Sequence, residues 1–221
     1  MESRVAVIIG AGPGLGAAVA RRLGQAGFAI ALIARDQQRL TQLGEALQAE
    51  DITAGWTAVD VSDSGELAAA VTRFGGFSGQ IGVLHHNAVA FRSASASSLS
   101  AADLLADVAI GTASLLTSVT AALPFMHPGG LVLATGGGSA DHPMTSAASL
   151  GVQKAAVRNL VTALDQDLRA RGIRAASLTV NGTIAAGTPF APERIADAVA
   201  DLVTAAATAR DDWRSEVPFN G

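Results

Sequence analysis

The feature that most constrains this chain is a glycine-rich turn, Gly10-Ala11-Gly12-Pro13-Gly14-Leu15-Gly16, set between an apolar run, Arg4–Ile9, and a helical stripe of Leu15, Val19, Leu23 and Ala26. Glycine lets the backbone bend tightly and lets a ligand reach main-chain amides with no Cβ in the way. The helix that opens behind the turn adds unpaired amides and the positive end of its dipole. A strand, such a turn and a helix in succession predict a diphosphate cradle lined by Gly10, Gly12, Pro13, Gly14, Leu15 and Gly16. Glycines that only let a helix pack closely on a strand are the competing reading.

The remainder of the chain repeats the strand-then-helix alternation. Short runs rich in β-branched residues recur at Phe28–Ala34, Thr53–Val59, Ile81–His86, Gly130–Thr135, Ile173–Val180 and Trp213–Pro218. Most are apolar at successive positions, the pattern of strands buried on both faces. Between them, Val157, Leu160, Val161, Leu164 and Leu168, and again Ile195, Val199, Leu202 and Val203, fall at helical spacing and make one apolar stripe each. Right-handed crossovers then predict a single-domain, Rossmann-type α/β fold over residues 1–221. It is a doubly wound parallel sheet of about seven strands with helices on both faces and ligands at the carboxyl ends of the strands. A length of 221 residues at 49% hydrophobic content suffices for one such core. The Ser/Ala-rich stretch Ser93–Ser100 reads as a loop.

Charge and composition exclude several classes of function. A net charge of −4, with 15% charged residues and no basic cluster beyond Arg169-Ala170-Arg171, leaves no footprint for nucleic acid or an anionic membrane. The absence of cysteine removes disulfides, thiol chemistry and Cys-ligated zinc, and fits a cytoplasmic protein. The uncharged run Val5–Ala20 is interrupted by four glycines and Pro13 and is too short for a spanning helix. His85 and His86 are neighbours on one strand and point to opposite faces, so no metal site is expected from them.

At the end of the second strand the chain reads Leu32-Ile33-Ala34-Arg35-Asp36. An acid at this strand end takes the adenosine ribose of NAD, whereas an arginine pairs with the 2′-phosphate of NADP. Ala34 stands where the acid is sought and Arg35 follows it, which favours NADP over NAD. Asp36 either caps the next helix or takes the ribose itself.

These residues resemble the short-chain dehydrogenase/reductase family, whose first turn, Gly-x-x-x-Gly-x-Gly, is matched by Gly10, Gly14 and Gly16. The resemblance runs nearly end to end. Asp60-Val61 resembles the family's adenine-contacting Asp, and His86-Asn87-Ala88-Val89 resembles Asn-Asn-Ala-Gly, of which Asn87 and Ala88 survive. Thr183 and Ile184, after the sixth strand, are implied as contacts of the nicotinamide amide, and the lid that follows them is short. The resemblance also implies a homo-oligomer, dimer or tetramer, packed through the helices near Ala101–Met126 and Thr145–Arg171.

Family members use a Tyr-x-x-x-Lys helix, a serine and an upstream asparagine. Residues four apart share a helix face, so the lysine holds the nicotinamide ribose and lowers the tyrosine pKa for proton transfer. Here the helix reads Leu150-Gly151-Val152-Gln153-Lys154, and the chain has no tyrosine. The serine position, thirteen residues before Leu150, is Gly137, and the asparagine position is Ala109. Lys154 is retained, and His142 is the candidate replacement acid, since imidazole titrates near neutrality. Ser149 adjoins Leu150 but points about 100° away from the Lys154 face.

Two functions stay open on these residues. One is hydride transfer between NADP(H) and a carbonyl or alcohol, an oxidoreductase with a degenerate active site. The other is a catalytically inactive NADP(H)-binding sensor or partner subunit, a pseudoenzyme with no small-molecule substrate.

Overall fold

The computed structural model describes residues 4–208 and 212–221. Seven strands form one parallel sheet: β1 (Val5–Ile9), β2 (Ala29–Ala34), β3 (Ala54–Ala58), β4 (Ile81–His86), β5 (Leu131–Gly137), β6 (Arg174–Val180) and β7 (Glu216–Phe219). Their spatial order is β3-β2-β1-β4-β5-β6-β7. The helices are α1 (Leu15–Gln25), α2 (Gln37–Ala49), α3 (Ser64–Ser78), α4 (Ala101–Val108), α5 (Ser114–Ala122), α6 (Ala148–Leu168) and α7 (Pro192–Ala207). This is the doubly wound architecture that the alternation of patterns predicts.

Each face of the sheet has its own apolar layer. Ala6, Ile8, Ile30, Leu32, Leu131 and Leu133 pack with Val19 and Leu23 of α1, Leu40 and Leu47 of α2, and Ile195 and Val199 of α7. Val5, Val7, Ile9, Val132 and Ala134 pack with Leu67 and Val71 of α3, Leu115 and Val119 of α5, and Val157 and Val161 of α6. The uncharged run Val5–Ala20 is thus the inner strand β1, its turn and the first turns of α1, and not a membrane segment. Among the described residues, one helical run, Ala101–Phe125, is long and apolar enough by composition to cross a bilayer. Its α5 part lies on α3 and β4, where Leu115 and Val119 are buried.

Helix starts follow their side chains. Asp36 accepts from the Arg39 amide at the start of α2, Asp63 from the Glu66 amide at α3, and Ser100 from the Asp103 amide at α4. The loop Ser93–Ser100 is a mesh of serine hydroxyls around Ser95.

Three elements differ from the periodic reading. β5 runs on through Gly136 and Gly137, which pair with Thr179 and Val180 of β6. A Cβ at Gly136 would stand 2.5 Å from the Ser177 hydroxyl, so glycine is what lets the two strands close here. β7 begins at Glu216 rather than Trp213, because Trp213 leaves the ladder to donate its indole N–H to the Ala175 carbonyl at 3.3 Å, under the Arg174 guanidinium. Between α4 and α5 the backbone forms a turn of π-helix, Ala109–Ala113, which no apolar period signals.

A buried ion pair locks α6 to β6. Asp165, 4% exposed in its side chain, accepts from Arg174 Nε and Nη2 at 2.9 and 2.8 Å and from the Ala175 amide at 2.8 Å. Burial pushes its pKa up, but the Arg174 guanidinium and the Ala175 amide outweigh that and hold it below the ordinary carboxylate value. A carboxylate with a depressed folded pKa adds stability above its unfolded pKa, and that stability drains away as pH falls through the folded value. Asp165→Ala leaves Arg174 without its main partner and is expected to cost about 3 to 5 kcal/mol in urea unfolding at neutral pH. The deficit shrinks on acidification.

Candidate cofactor and active site

The winding of the sheet reverses between β1 and β4, and the loops leaving these two strands diverge around Gly10 and Asn87. The two chains nearly touch. The Asn87 amide donates to Ile9 O at 2.7 Å and its Nδ2 to Gly10 O at 3.0 Å. Gly10 has φ +82°, and a Cβ there would stand 2.7 Å from Ala88 N and from the Asn87 carbonyl carbon. Gly16 is as tight, 2.7 Å from Gly10 O, so those two glycines serve packing. Gly12 and Gly14 do not: nothing lies within 4 Å of where their Cβ atoms would be. α1 opens behind them without a side-chain cap at Gly14.

This open turn is one wall of a cleft of about 270 Å³. Gly10, Gly12, Pro13, Arg35, Val61, Asn87 and Ala88 line it. Asp36, also on the wall, is engaged as the cap of α2 and pairs with Arg39 Nε at 3.2 Å. Arg39 lines the same cleft as Arg35, a residue that sequence reasoning missed. An arginine three residues after a helix cap was the only signal for it. Asp60 is not on the wall. Its Oδ1 is taken by the Ser62 amide and hydroxyl at 2.9 and 2.7 Å, which hold its carboxyl below the usual range.

Beyond Asn87 a larger cleft of about 880 Å³ opens at the ends of β5 and β6. It brings together Lys154, His142, Thr183 and Ile184 with Gly137 and Leu150. Lys154 Nζ donates to Thr135 O at 2.7 Å, and among the described residues it has no carboxylate partner. Burial pushes its pKa down to about 8. It is also the only lysine in the chain: the other 14 basic residues are arginine. Leu150 lies on the same cleft, four residues before it on α6. Gly137 stands opposite, and a Cβ there would meet the Lys154 side chain at 3.6 to 3.8 Å, ordinary contact. His142 sits on the exposed rim. Ser149 faces away, buried beside Asp107.

A supporting layer holds these groups. Gln153, fully buried, accepts from the Ala90 amide and donates to the Ala90 carbonyl, both at 3.0 Å, tying the loop after β4 to α6. Gly111 in the π-helical turn makes room for it, because a Cβ would fall 2.1 Å from Gln153 Oε1. Arg92 anchors the same loop to Asp107 and Asp103 of α4. His85 bonds Thr135 Oγ1 at 2.9 Å, on the residue whose carbonyl holds Lys154. His86 bonds Ser114 Oγ at 2.7 Å; that hydroxyl donates to Ile110 O, so the His86 Nε2 carries the proton. Burial first and the Lys154 charge second push His85 to about 4 and His86 to about 3, so both are neutral at pH 7. Among the described residues no three His, Asp or Glu side chains gather around a common point.

A single lysine makes its ionisation directly observable. Protein labelled with 15N-lysine is expected to give one side-chain resonance that titrates near pH 8, and Lys154→Met removes it. A lysine whose folded pKa lies below its unfolded value of about 10.4 costs stability while it is charged, so stability should rise with pH across that window. The rise is expected to vanish in Lys154→Met.

The chain is similar to known proteins over nearly its whole length. Residues 4–194 match the short chain dehydrogenase family. An uncharacterized oxidoreductase of Staphylococcus epidermidis is 28% identical over 220 residues, covering 94% of this chain and 92% of its own. A metagenomic short-chain oxidoreductase solved in complex with NADP superposes with a TM-score of 0.85 at 27% identity, covering 97% of this chain and 96% of that one. An NADPH-bound short-chain oxidoreductase of Pseudomonas aeruginosa, described as containing an atypical catalytic center, shares the fold with a TM-score of 0.88 at 20% identity, covering 98% and 96%. The chain therefore belongs to the short-chain dehydrogenase family.

Proposed function

We propose that this protein is an NADP(H)-dependent oxidoreductase that interconverts a carbonyl compound and its alcohol, with an active site stripped of the family's hydroxyl acid. The observation that carries the reading is the open turn at Gly12 and Gly14, flanked by two arginines and continuous past Asn87 with the cleft that holds Lys154. A Cβ-free cradle with an uncapped helix start fits a diphosphate. Arg35 and Arg39 fit a 2′-phosphate, Gly12 to Leu15 the diphosphate, and Val61, Asn87 and Ala88 the adenosine side. Lys154 holds the nicotinamide ribose, and Thr183 and Ile184 meet the carboxamide. The bound dinucleotide supplies or accepts hydride. The NADP complex of the 27% identical relative supports the same coenzyme here.

The proton is the weak point of the site. With Leu150, Gly137 and Ala109 in the family's tyrosine, serine and asparagine positions, the groups left to move it are Lys154 and, from the rim, His142. Loss of a positioned acid typically slows a reaction by roughly 10²- to 10⁴-fold. That same loss favours a second reading, a dinucleotide-binding protein without turnover.

NADPH is expected to bind more tightly than NADH in a fluorescence titration. Arg35→Ala should weaken NADPH by about 10- to 100-fold, the worth of a charged hydrogen bond, while leaving NADH unchanged. Failure of both coenzymes to bind overturns the reading. Leu150→Tyr combined with Gly137→Ser, which the space at Gly137 accepts, is expected to raise carbonyl turnover by roughly 10²-fold or more. Activity only in that repaired variant supports the second reading, and loss of native turnover in His142→Ala assigns the proton to His142.

We also propose a homo-oligomer through the outer faces of α4, α5 and α6, where Leu105, Leu116 and Val152 are 70%, 48% and 45% exposed. Leu105→Glu is expected to shift the sedimentation mass toward a monomer. A wild-type protein that is already monomeric removes the proposal.

A further inference from the structure

Among the described residues, Asn87 and Val89 are the two that line both clefts. The loop after β4 is therefore a wall common to them, and it is anchored on either side of Val89. Asn87 is tied to Ile9 and Gly10. On the other side, the Ala90 amide donates to Gln153 Oε1 and the Ala90 carbonyl accepts from Gln153 Nε2, both at 3.0 Å. A side chain that exchanges two hydrogen bonds with one residue does for this loop what a neighbouring strand does in an antiparallel pair.

Gln153 is itself fixed. It is fully buried, and its Nε2 also donates to the Ser149 carbonyl at 3.2 Å. The Ala90 N–H can only donate and the Ala90 carbonyl can only accept, so the amide has a single orientation. Gly111 closes the space behind it, because a Cβ there would stand 2.8 Å from Gln153 Cδ and closer still to the oxygen. The next residue on α6 is Lys154, held by the Thr135 carbonyl. One step of helix thus carries the groups that fix two parts of the larger cleft, Lys154 itself and the loop at Val89. Packing alone does not call for this arrangement: an apolar side chain fills the same volume without taking an amide out of water.

Resting on the coenzyme reading above, we infer that Gln153, seated against the π-helical turn by Gly111, is a positioning residue: it sets the wall at Val89 against which the nicotinamide half of the dinucleotide is held. The adenosine half depends on other groups. Its phosphates meet the open turn at Gly12 and Gly14 and the guanidinium groups of Arg35 and Arg39, none of them a hydrogen-bond partner of Gln153. Asn87, the loop residue tied to the turn, draws its bonds from Ile9 and Gly10 and not from α6. Loss of the clamp is therefore felt at one end of the ligand.

The test compares two ligands and needs no turnover. NADPH carries both halves, whereas adenosine 2′,5′-bisphosphate carries the adenosine half with its 2′-phosphate. Each is titrated against the whole protein by calorimetry. Gln153→Met keeps the length of the side chain and removes its hydrogen bonds. It is expected to weaken NADPH by about 10-fold, the worth of one or two net hydrogen bonds, and adenosine bisphosphate by less than about 2-fold. Gly111→Ala drives a Cβ into the Gln153 amide and should lower the urea unfolding midpoint. Adding Gln153→Ala to it relieves the overlap and should recover much of that midpoint while NADPH stays weak. A role in packing alone gives the opposite result, NADPH binding that returns together with stability, and that result overturns the inference. Unchanged NADPH binding in Gln153→Met, or equal weakening of both ligands, overturns it as well. Wild-type protein that binds neither ligand sinks the coenzyme reading itself, whereas wild-type binding to which Gln153→Met is indifferent sinks this inference alone.

Discussion

The contact between the ends of β1 and β4 is the constraint on which the rest of the site depends. Asn87 reaches Ile9 and Gly10 through two hydrogen bonds, and Gly10 accepts that approach only because it has no Cβ and adopts a positive φ. Because the chain winds away in opposite directions from these two strands, the same contact opens a crevice on both sides of Asn87. One side is the glycine turn with Arg35 and Arg39, and the other is the cleft of Lys154. A long two-ended ligand spanning them is what this arrangement accommodates.

The second organising fact is an isolated charge. Lys154 is placed by the Thr135 carbonyl, and the polar groups beneath it form a layer that fixes that carbonyl and the neighbouring loop: His85 on Thr135, Gln153 on Ala90 and Arg92 on Asp107. The two histidines stay neutral, so they shape the floor without adding charge of their own. The cation thus faces the cleft and not a protein carboxylate. Leu150 and Gly137 offer no hydroxyl beside it, while Ser139, His142 and Thr183 line other parts of the same cleft.

The parts that the residues announced are those governed by local period and local stereochemistry. Five-residue runs such as Val5–Ile9, apolar without alternation, are readable as doubly buried strands because only such strands tolerate that pattern. Helix spacing puts Leu150 and Lys154 on one face, the resemblance to the family puts Gly137 with them, and the cleft holds all three. The features that escaped depend on partners distant in sequence. β5 extends through Gly136 because Ser177 and Thr179 lie across from it; β7 starts late because Trp213 finds Ala175; and the π-helical turn exists where Gly111 admits Gln153. Asp60, expected on the adenosine side, has its Oδ1 engaged by its own turn at Ser62, a local pairing that spacing does not reveal.

By itself the sequence determined the alternation of strands and helices, the cradle at the first turn and the absence of any tyrosine, since each follows from residue type and local order. Only the tertiary structure decided that Gly12 and Gly14 are open while Gly10 and Gly16 are filled, that Arg39 joins Arg35, and that Lys154 has no carboxylate partner among the described residues. The physical reason is the same in each case: exposure, pairing and solvation are properties of the space between elements, and that space exists only once the sheet has closed.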